Sequence, residues 1–195
     1  MRHERRKVLA GMGSFFFGAL IPAATWAQPG AMSRAEIEIS IPGVPPEVDM
    51  VNSNTGDTIF LRFWRPEGYD PDALALADWF MRDWREDAIT KFDPRLLWGL
   101  ATIRHAFMLD GHDGVIHVHS GFRTSKTNEM LRRKSHGVAG NSFHLKARAV
   151  DFRLPNIPTG LVAEKALETG LGGVGQYVKS DFVHLDTGPQ RFWHG

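Results

Sequence analysis

The stretch that organises this sequence is GVAGNSFHLKARAVD, residues 137–151. It places His144 seven residues ahead of Asp151, with mostly small or apolar residues between them. A second cluster, SDFVHLDTG at residues 180–188, supplies His184 with an aspartate on either side. Two imidazoles and a carboxylate match the three protein ligands of a catalytic zinc ion, which keeps a fourth position open for water. The sequence therefore predicts a metal site built from two separate segments.

Charge and cysteine content narrow the range of functions. The formal net charge is +1, and the first 27 residues hold four basic side chains against one acidic side chain, so the remainder is weakly acidic. Such a chain has no electrostatic attraction for nucleic acid, and we expect no nucleic-acid partner. The absence of cysteine excludes disulfides, thiolate metal sites and cysteine nucleophiles. Any catalysis must rest on other side chains or on a metal.

The N-terminal segment has the layout of an export signal. A basic start leads into an apolar run over residues 8–24, and Thr25-Trp26-Ala27 places small residues before a cleavage site at Gln28. The pair Arg5-Arg6 fits the twin-arginine route. An uncleaved anchor is the alternative, although a run of about 17 residues with glycines and a proline is short for a membrane span. We expect a signal peptide over residues 1–27, a flexible segment over 28–46, and no stable membrane insertion after cleavage.

Residues 47–195 predict one domain of the α+β class, with a central antiparallel sheet flanked by helices. Helices are expected from residue 71 to about 87, after Asp70 as N-cap, and after Asp93-Pro94. Two more are expected after Thr124 or Ser125 and over residues 160–170. Alternating or β-branched patterns predict a hairpin over residues 48–64 and strands at 114–120, 149–154, 176–178 and 182–185.

Several motifs together resemble a known superfamily. Ser142-x-His144-x6-Asp151 matches a pattern of the zinc D-Ala-D-Ala metallopeptidases, which share the fold of the hedgehog amino-terminal domain and the lysostaphin-type enzymes. Ser120-Gly121-Phe122-Arg123-Thr124 resembles their S-G-[YF]-R-[ST] element, and Phe182-Val183-His184 resembles their last ligand strand. The segments 93–97, 137–139, 172–175 and 184–188 look most like the twin-arginine-exported murein endopeptidases of Gram-negative bacteria.

This resemblance implies roles for individual residues. It makes His144, Asp151 and His184 the ligands of one zinc ion. It implies that Arg123 faces the substrate, where its planar fork suits a peptide carboxylate or an oxyanion in catalysis. Ser142 is expected to contact the substrate, with a turn role as the alternative. His119, on the strand before Arg123, is expected either to line the cleft as a substrate contact or to support a metal ligand from behind.

The general base is left open between two aspartates. Asp181 lies three residues before His184, where the wider family has an acidic residue, and we favour it slightly. Asp186 lies two residues after His184, on the same strand face, where it can act as base, as a partner that orients the histidine, or as a turn residue.

One position departs from the family pattern, because Ala147 stands where relatives have glycine. If the backbone there needs positive φ, alanine costs about 1 kcal/mol.

The sequence thus predicts a periplasmic zinc peptidase that cleaves peptide cross-links in peptidoglycan, acting as a monomer on stem peptides. Two alternatives are a D,D- or L,D-carboxypeptidase that trims stem peptides, and a non-catalytic zinc-containing module that binds the cell wall. An acidic base near the metal separates the enzymes from the binding module, and both candidate aspartates are present.

Overall fold

The computed structural model describes residues 43–135 and 137–195, together with the backbone of Lys7–Leu9. The rest of the predicted signal peptide and residues 28–42 of the predicted flexible segment lie outside the described residues, as does His136. Within the described part of the chain, no helix is long and apolar enough to cross a membrane.

Four α-helices are present in the described residues: α1 Pro71–Phe80, α2 Arg95–Leu109, α3 Ser125–Lys134 and α4 Thr159–Glu168, with a short 3₁₀ helix at Phe143–Lys146. The strands are β1 Lys7–Leu9, β2 Glu47–Asn52, β3 Thr58–Arg62, β4 Trp64–Arg65, β5 Gly68–Tyr69, β6 Val115–Ser120, β7 Ala149–Arg153, β8 Gly173–Tyr177, β9 Phe182–Asp186 and β10 Arg191–His194.

The main sheet runs in the order β1-β3-β2-β6-β7-β9-β8-β10 through the described residues, and β4 pairs with β5 in a separate hairpin. The α+β prediction is confirmed, with one refinement: the sheet is mixed. Strand β2 lies parallel to β6, β8 lies parallel to β10, and β1 lies parallel to β3, whereas the other neighbours are antiparallel. The parallel β2–β6 pair arises because α1 and α2 occupy the long connection between these strands.

Side-chain hydrogen bonds cap the N-termini of two helices. Asp70 caps α1 by accepting a hydrogen bond from the Asp72 amide, and Thr124 caps α3 by accepting one from the Thr127 amide. Helix α1 ends at Phe80, earlier than the predicted residue 87, because Asp83 and Ala88 pair as an isolated bridge and close the intervening residues into a tight loop.

One face of the sheet packs into the apolar core, and the opposite face carries the candidate site residues. One face carries apolar residues such as Ile116, Phe152 and Leu185, which are fully buried in one core with residues of α2 and α4. Side chains alternate along a strand, so the residues between them point to the opposite face. Asp151 and His184 belong to that opposite face and lie directly across from each other in the β7–β9 pair. The core therefore holds rigid the strands that carry the site.

Candidate metal centre

Three side chains from the two organising segments converge on one point. His144 comes from the 3₁₀ helix, Asp151 from β7 and His184 from β9, and all three are buried. One ligand atom from each lies within 4.8 Å of the others. The Oδ1 of Asp151 is 3.1 Å from Nε2 of His144 and 2.9 Å from Nδ1 of His184. Two nitrogens and a carboxylate oxygen in this arrangement can hold a metal ion.

His144 is oriented by its other ring nitrogen. Its Nδ1 lies 2.6 Å from the carbonyl oxygen of Gly121, which can only accept a hydrogen bond, so Nδ1 carries the proton and the Nε2 lone pair faces Asp151 and His184. Burial lowers the pKa of this imidazole, which favours the neutral form that binds metals. The 3₁₀ turn begins at Ser142, whose Oγ accepts a hydrogen bond from the His144 amide.

The turn that carries His144 ends in the left-handed region, with Ala147 at φ 50°. The backbone at this position therefore does adopt positive φ, the condition under which alanine is expected to carry a cost. The expected cost of about 1 kcal/mol applies here. Ala147 is fully buried, and its carbonyl oxygen accepts a hydrogen bond from the Asp93 amide, so contacts on both sides hold the strained conformation in place.

Asp151 is shared between the two histidines and an arginine. Its Oδ2 accepts a short hydrogen bond from Nη2 of Arg123, whose Nε also donates to Oγ of Ser120 at 2.7 Å. Although burial opposes ionisation, His144 and Arg123 hold the pKa of Asp151 well below its usual range. The structure therefore joins Arg123, predicted to face the substrate, to the carboxylate of the site. Its guanidinium also lines the cleft.

His184 is held from behind by Asp186. The Nε2 of His184 lies 2.9 Å from Oδ2 of Asp186, so this nitrogen donates and Nδ1 remains directed towards Asp151. Asp186 is fully buried and is bound by Arg191 and by the amides of Gly173 and Gly188. Burial opposes its ionisation, but the bonds from His184 and Arg191 outweigh that effect and lower its pKa. Asp186 is thus placed as a partner of the histidine, on the side away from Asp151.

Asp181 is placed differently. It lies in the turn before β9 with φ 50°, its side chain is 58% exposed, and its Oδ2 is 2.6 Å from Nη1 of Arg153. It does not line the cleft, but its charge acts on His119, which does. The two aspartates that flank His184 in sequence therefore occupy opposite environments, one fully buried and one at the surface.

The ligand cluster opens into a cleft of about 520 Å³. Its lining includes Ser142 and His119, the two residues that are candidates for substrate contacts. His119 is half-buried at an irregularity in the β6–β7 pairing, and its enclosed Nε2 has no partner among the described residues. Burial lowers the pKa of His119, and the nearby Arg153 lowers it further, so the neutral imidazole is favoured.

Several cleft residues carry no sequence signal of their own: Arg85, Tyr177, Arg191 and Trp193. The last two come from β10, an edge strand that the sequence did not predict. Gly175 precedes the strand that the sequence predicts at residues 176–178. It lies instead within β8, and a Cβ there would be 2.5 Å from the Trp193 ring. The missing side chain leaves room for Trp193 beside His184, with ring centroids 5.3 Å apart.

Comparison with known proteins gives consistent results. The profile of the peptidoglycan L,D-endopeptidase MepK family matches residues 42–193. A probable peptidoglycan L,D-endopeptidase MepK from Haemophilus influenzae is 40% identical over 144 residues, which cover 74% of this chain and 76% of that protein. The peptidoglycan L,D-endopeptidase MepK of Escherichia coli K12 is 35% identical over 190 residues, 97% of each chain. No solved structure shows significant similarity to the chain.

Proposed function

This chain belongs to the peptidoglycan L,D-endopeptidase MepK family of metallopeptidases, and from that premise we propose that it hydrolyses an L,D peptide bond in peptidoglycan cross-links with one zinc ion. Both the predicted family resemblance and the prediction of an enzyme are confirmed by these relatives. The observation that carries the proposal is the buried set of His144, Asp151 and His184, whose ligand atoms converge within 4.8 Å.

The donor set fits zinc. Nδ1 of His144 donates to the Gly121 carbonyl, and Nε2 of His184 donates to Asp186. In each imidazole the other ring nitrogen is therefore directed towards Asp151. Neutral imidazoles and a single carboxylate are usual ligands of catalytic zinc. When bound, zinc polarises the scissile carbonyl and lowers the pKa of a water to about 7. Arg123 holds Oδ2 of Asp151, which leaves Oδ1 directed at the metal position.

For the proton transfer we propose Asp181 as the base, with Asp186 as the residue that orients His184. Asp186 is unsuited to the transfer because it is fully buried behind the imidazole and already has charged and amide partners. Asp181 is accessible, and it serves in this role if its carboxylate leaves Arg153. His119 is the competing group, because it lines the cleft and its enclosed Nε2 has no partner among the described residues.

Substrate contacts are proposed for the polar groups along the cleft. Ser142 and His119 line it, and Arg123 stands beside the metal position with a guanidinium that can stabilise charge developing on the scissile carbonyl oxygen. The substrate is a peptide with several amide and carboxylate groups, so donors distributed along the cleft are suited to hold it on both sides of the scissile bond.

Location follows from the substrate. Relatives named for peptidoglycan imply action outside the cytoplasm. We propose export to the periplasm through a twin-arginine signal over residues 1–27, cleaved before Gln28. Replacement of Arg5 and Arg6 by lysine should leave the precursor in the cytoplasmic fraction. Sequencing of the exported product should begin at Gln28.

The deciding experiment uses purified, zinc-loaded protein and cross-linked muropeptide dimers, with products followed by mass spectrometry. Endopeptidase action yields two monomers, whereas carboxypeptidase action releases single amino acids and leaves the dimer joined. A non-catalytic wall-binding module releases neither monomers nor amino acids and leaves the dimer unchanged. His144→Ala should lose both zinc and cleavage, and His112→Ala, at an exposed histidine outside the cleft, is the matched control. Zinc-loaded protein that leaves dimers intact would refute the proposed function.

A further inference from the structure

We propose that Arg85 binds a free carboxylate of the stem peptide beside the metal centre, and so makes the enzyme select cross-links in which that carboxylate is unmodified. This inference rests on the proposed function and extends it to the recognition of one chemical group on the substrate.

The other two arginines of the cleft are already paired with aspartates. Among the described lining residues, Arg123 is bound to Asp151, and Arg191 is bound to Asp186. Arg85 also lines the cleft, yet its guanidinium forms no ion pair with any described residue. A guanidinium presents a rigid fork of N–H donors that matches a carboxylate in a bidentate manner. Arg85 is therefore the cleft arginine whose fork remains available to a ligand.

None of the acidic residues in the loop of Arg85 forms an ion pair with its guanidinium, although Oδ1 of Asp83 accepts a hydrogen bond from the Arg85 amide at 3.1 Å. Asp83 accepts hydrogen bonds from the amide and hydroxyl of Thr124, at 2.9 and 3.0 Å. Glu86 pairs with Lys126 at 2.8 Å, and Asp87 pairs with Arg82 at 3.0 Å. Glu86 and Asp87 are thus paired with other cations and Asp83 is held by Thr124, which leaves the Arg85 guanidinium without an ion pair at the cleft.

The position of Arg85 is set by contacts rather than by chance exposure. The loop is closed by the bridge between Asp83 and Ala88. It is joined to the segment that carries Arg123 by the Asp83–Thr124 bonds and by the Phe122 amide, which donates to the Met81 carbonyl at 2.7 Å. The guanidinium carbon of Arg85 lies 4.1 Å from the centroid of the Trp84 ring, which restrains the side chain.

Charge indicates which ligand this site accepts. The charges of Asp83 and Arg123 both act on Arg85, but Asp83 does not line the cleft, whereas Arg85 and Arg123 do. Asp151 is the acidic residue among the described residues that line the cleft, and both of its carboxylate oxygens are already bound, by the two histidines and by Arg123. Stem peptides carry free carboxylates. Conversion of such a group to a carboxamide removes its charge while nearly preserving its shape, so amidation tests the interaction directly.

The test compares two forms of one cross-linked muropeptide dimer, with its peptide carboxylates free or converted to carboxamides. Wild-type protein should prefer the free form by roughly ten- to hundredfold in kcat/KM, the usual range for a charged hydrogen bond. The difference should appear mainly in KM. Arg85→Gln should lose most of this preference with its zinc content unchanged, and Arg85→Lys should keep part of it. Arg133→Gln, at an exposed arginine of α3 outside the cleft, should behave as wild type.

The results of this comparison distinguish failure of the Arg85 carboxylate site from failure of the proposed endopeptidase function. Equal cleavage of both dimers by wild-type protein, or an undiminished preference in Arg85→Gln, would overturn the carboxylate site and leave the endopeptidase function standing. Failure of wild-type protein to cleave either dimer would overturn the proposed function, and the carboxylate site with it.

Discussion

The Nε2 atom of His184 lies 2.9 Å from Oδ2 of Asp186, a carboxylate with no exposed surface. Arg191, from the last strand, binds the same Oδ2 at 2.6 Å, and the Gly188 amide donates to Oδ1 at 2.8 Å. This chain of contacts connects the edge strand β10 to the proposed zinc ligand His184 and fixes which ring nitrogen faces Asp151 and the proposed metal position. Residues outside the ligand cluster thereby fix the orientation of His184.

Replacement of Asp186 by asparagine should therefore weaken zinc binding rather than abolish proton transfer alone. Asparagine keeps one neutral acceptor oxygen but loses the negative charge and the second carboxylate oxygen, so it holds the Nε2 of His184 and the guanidinium of Arg191 less strongly. Such orienting partners typically contribute 10- to 100-fold in metal affinity or activity. Competition with a chromophoric chelator measures the zinc affinity. Asp113→Asn, at an exposed aspartate outside the cleft, should leave the affinity unchanged. Wild-type zinc affinity in Asp186→Asn would contradict the assigned role.

A second pair of variants decides the base. Asp181→Asn should lower kcat by about 10²- to 10⁴-fold, the range for general acid–base catalysis, while zinc stays bound. His119→Asn should affect KM more than kcat if His119 only contacts the substrate. Measurement of both constants, together with zinc content, distinguishes the two residues. The reverse pattern would assign proton transfer to His119.

The pH dependence of zinc binding follows from His184. Burial opposes its protonation, but hydrogen bonds to Asp151 and Asp186 outweigh burial and raise its pKa in the metal-free protein. A proton on Nδ1 competes with zinc, so affinity should fall as the pH is lowered through this raised pKa, and binding should release a proton. Calorimetry in buffers of different ionisation enthalpy measures the proton release. Affinity that does not change between pH 8 and pH 6 would contradict this expectation.

Gly172 provides a test of packing beside the site. A Cβ at this position would overlap the backbone carbonyl oxygen of Asp186 and lie 2.8 Å from that of Gly188, and backbone atoms cannot move aside cheaply. Gly172→Ala should destabilise the fold by about 1–3 kcal/mol, the usual cost of overpacking. Gly137→Ala is the control, because the nearest atom to its Cβ would be the Ser135 hydroxyl at 3.7 Å. Urea denaturation of both variants measures the difference, and equal stabilities would show that the backbone adapts.

Local patterns were sufficient for the fold class and the elements of the core. Apolar alternation identified β6, β7 and β9, and aspartate or threonine caps located α1 and α3. The short strand β10 was missed because its sequence, RFWH, has no regular alternation. The early end of α1 was missed because the Asp83–Ala88 bridge joins residues that helical spacing alone treats as a continuation.

The sequence by itself determined the family and the three residues that converge, because their types and spacing are needed for the chemistry wherever the chain places them. Tertiary structure decided what surrounds them. It placed Asp186 behind His184 and Asp181 in an ion pair with Arg153, although both lie within three residues of the same histidine. It also joined Arg123 to Asp151 and brought Arg85 to the cleft from a distant loop. Spacing along a chain records which side chains are near in sequence, but orientation, burial and partnership depend on strands and loops that meet only on folding.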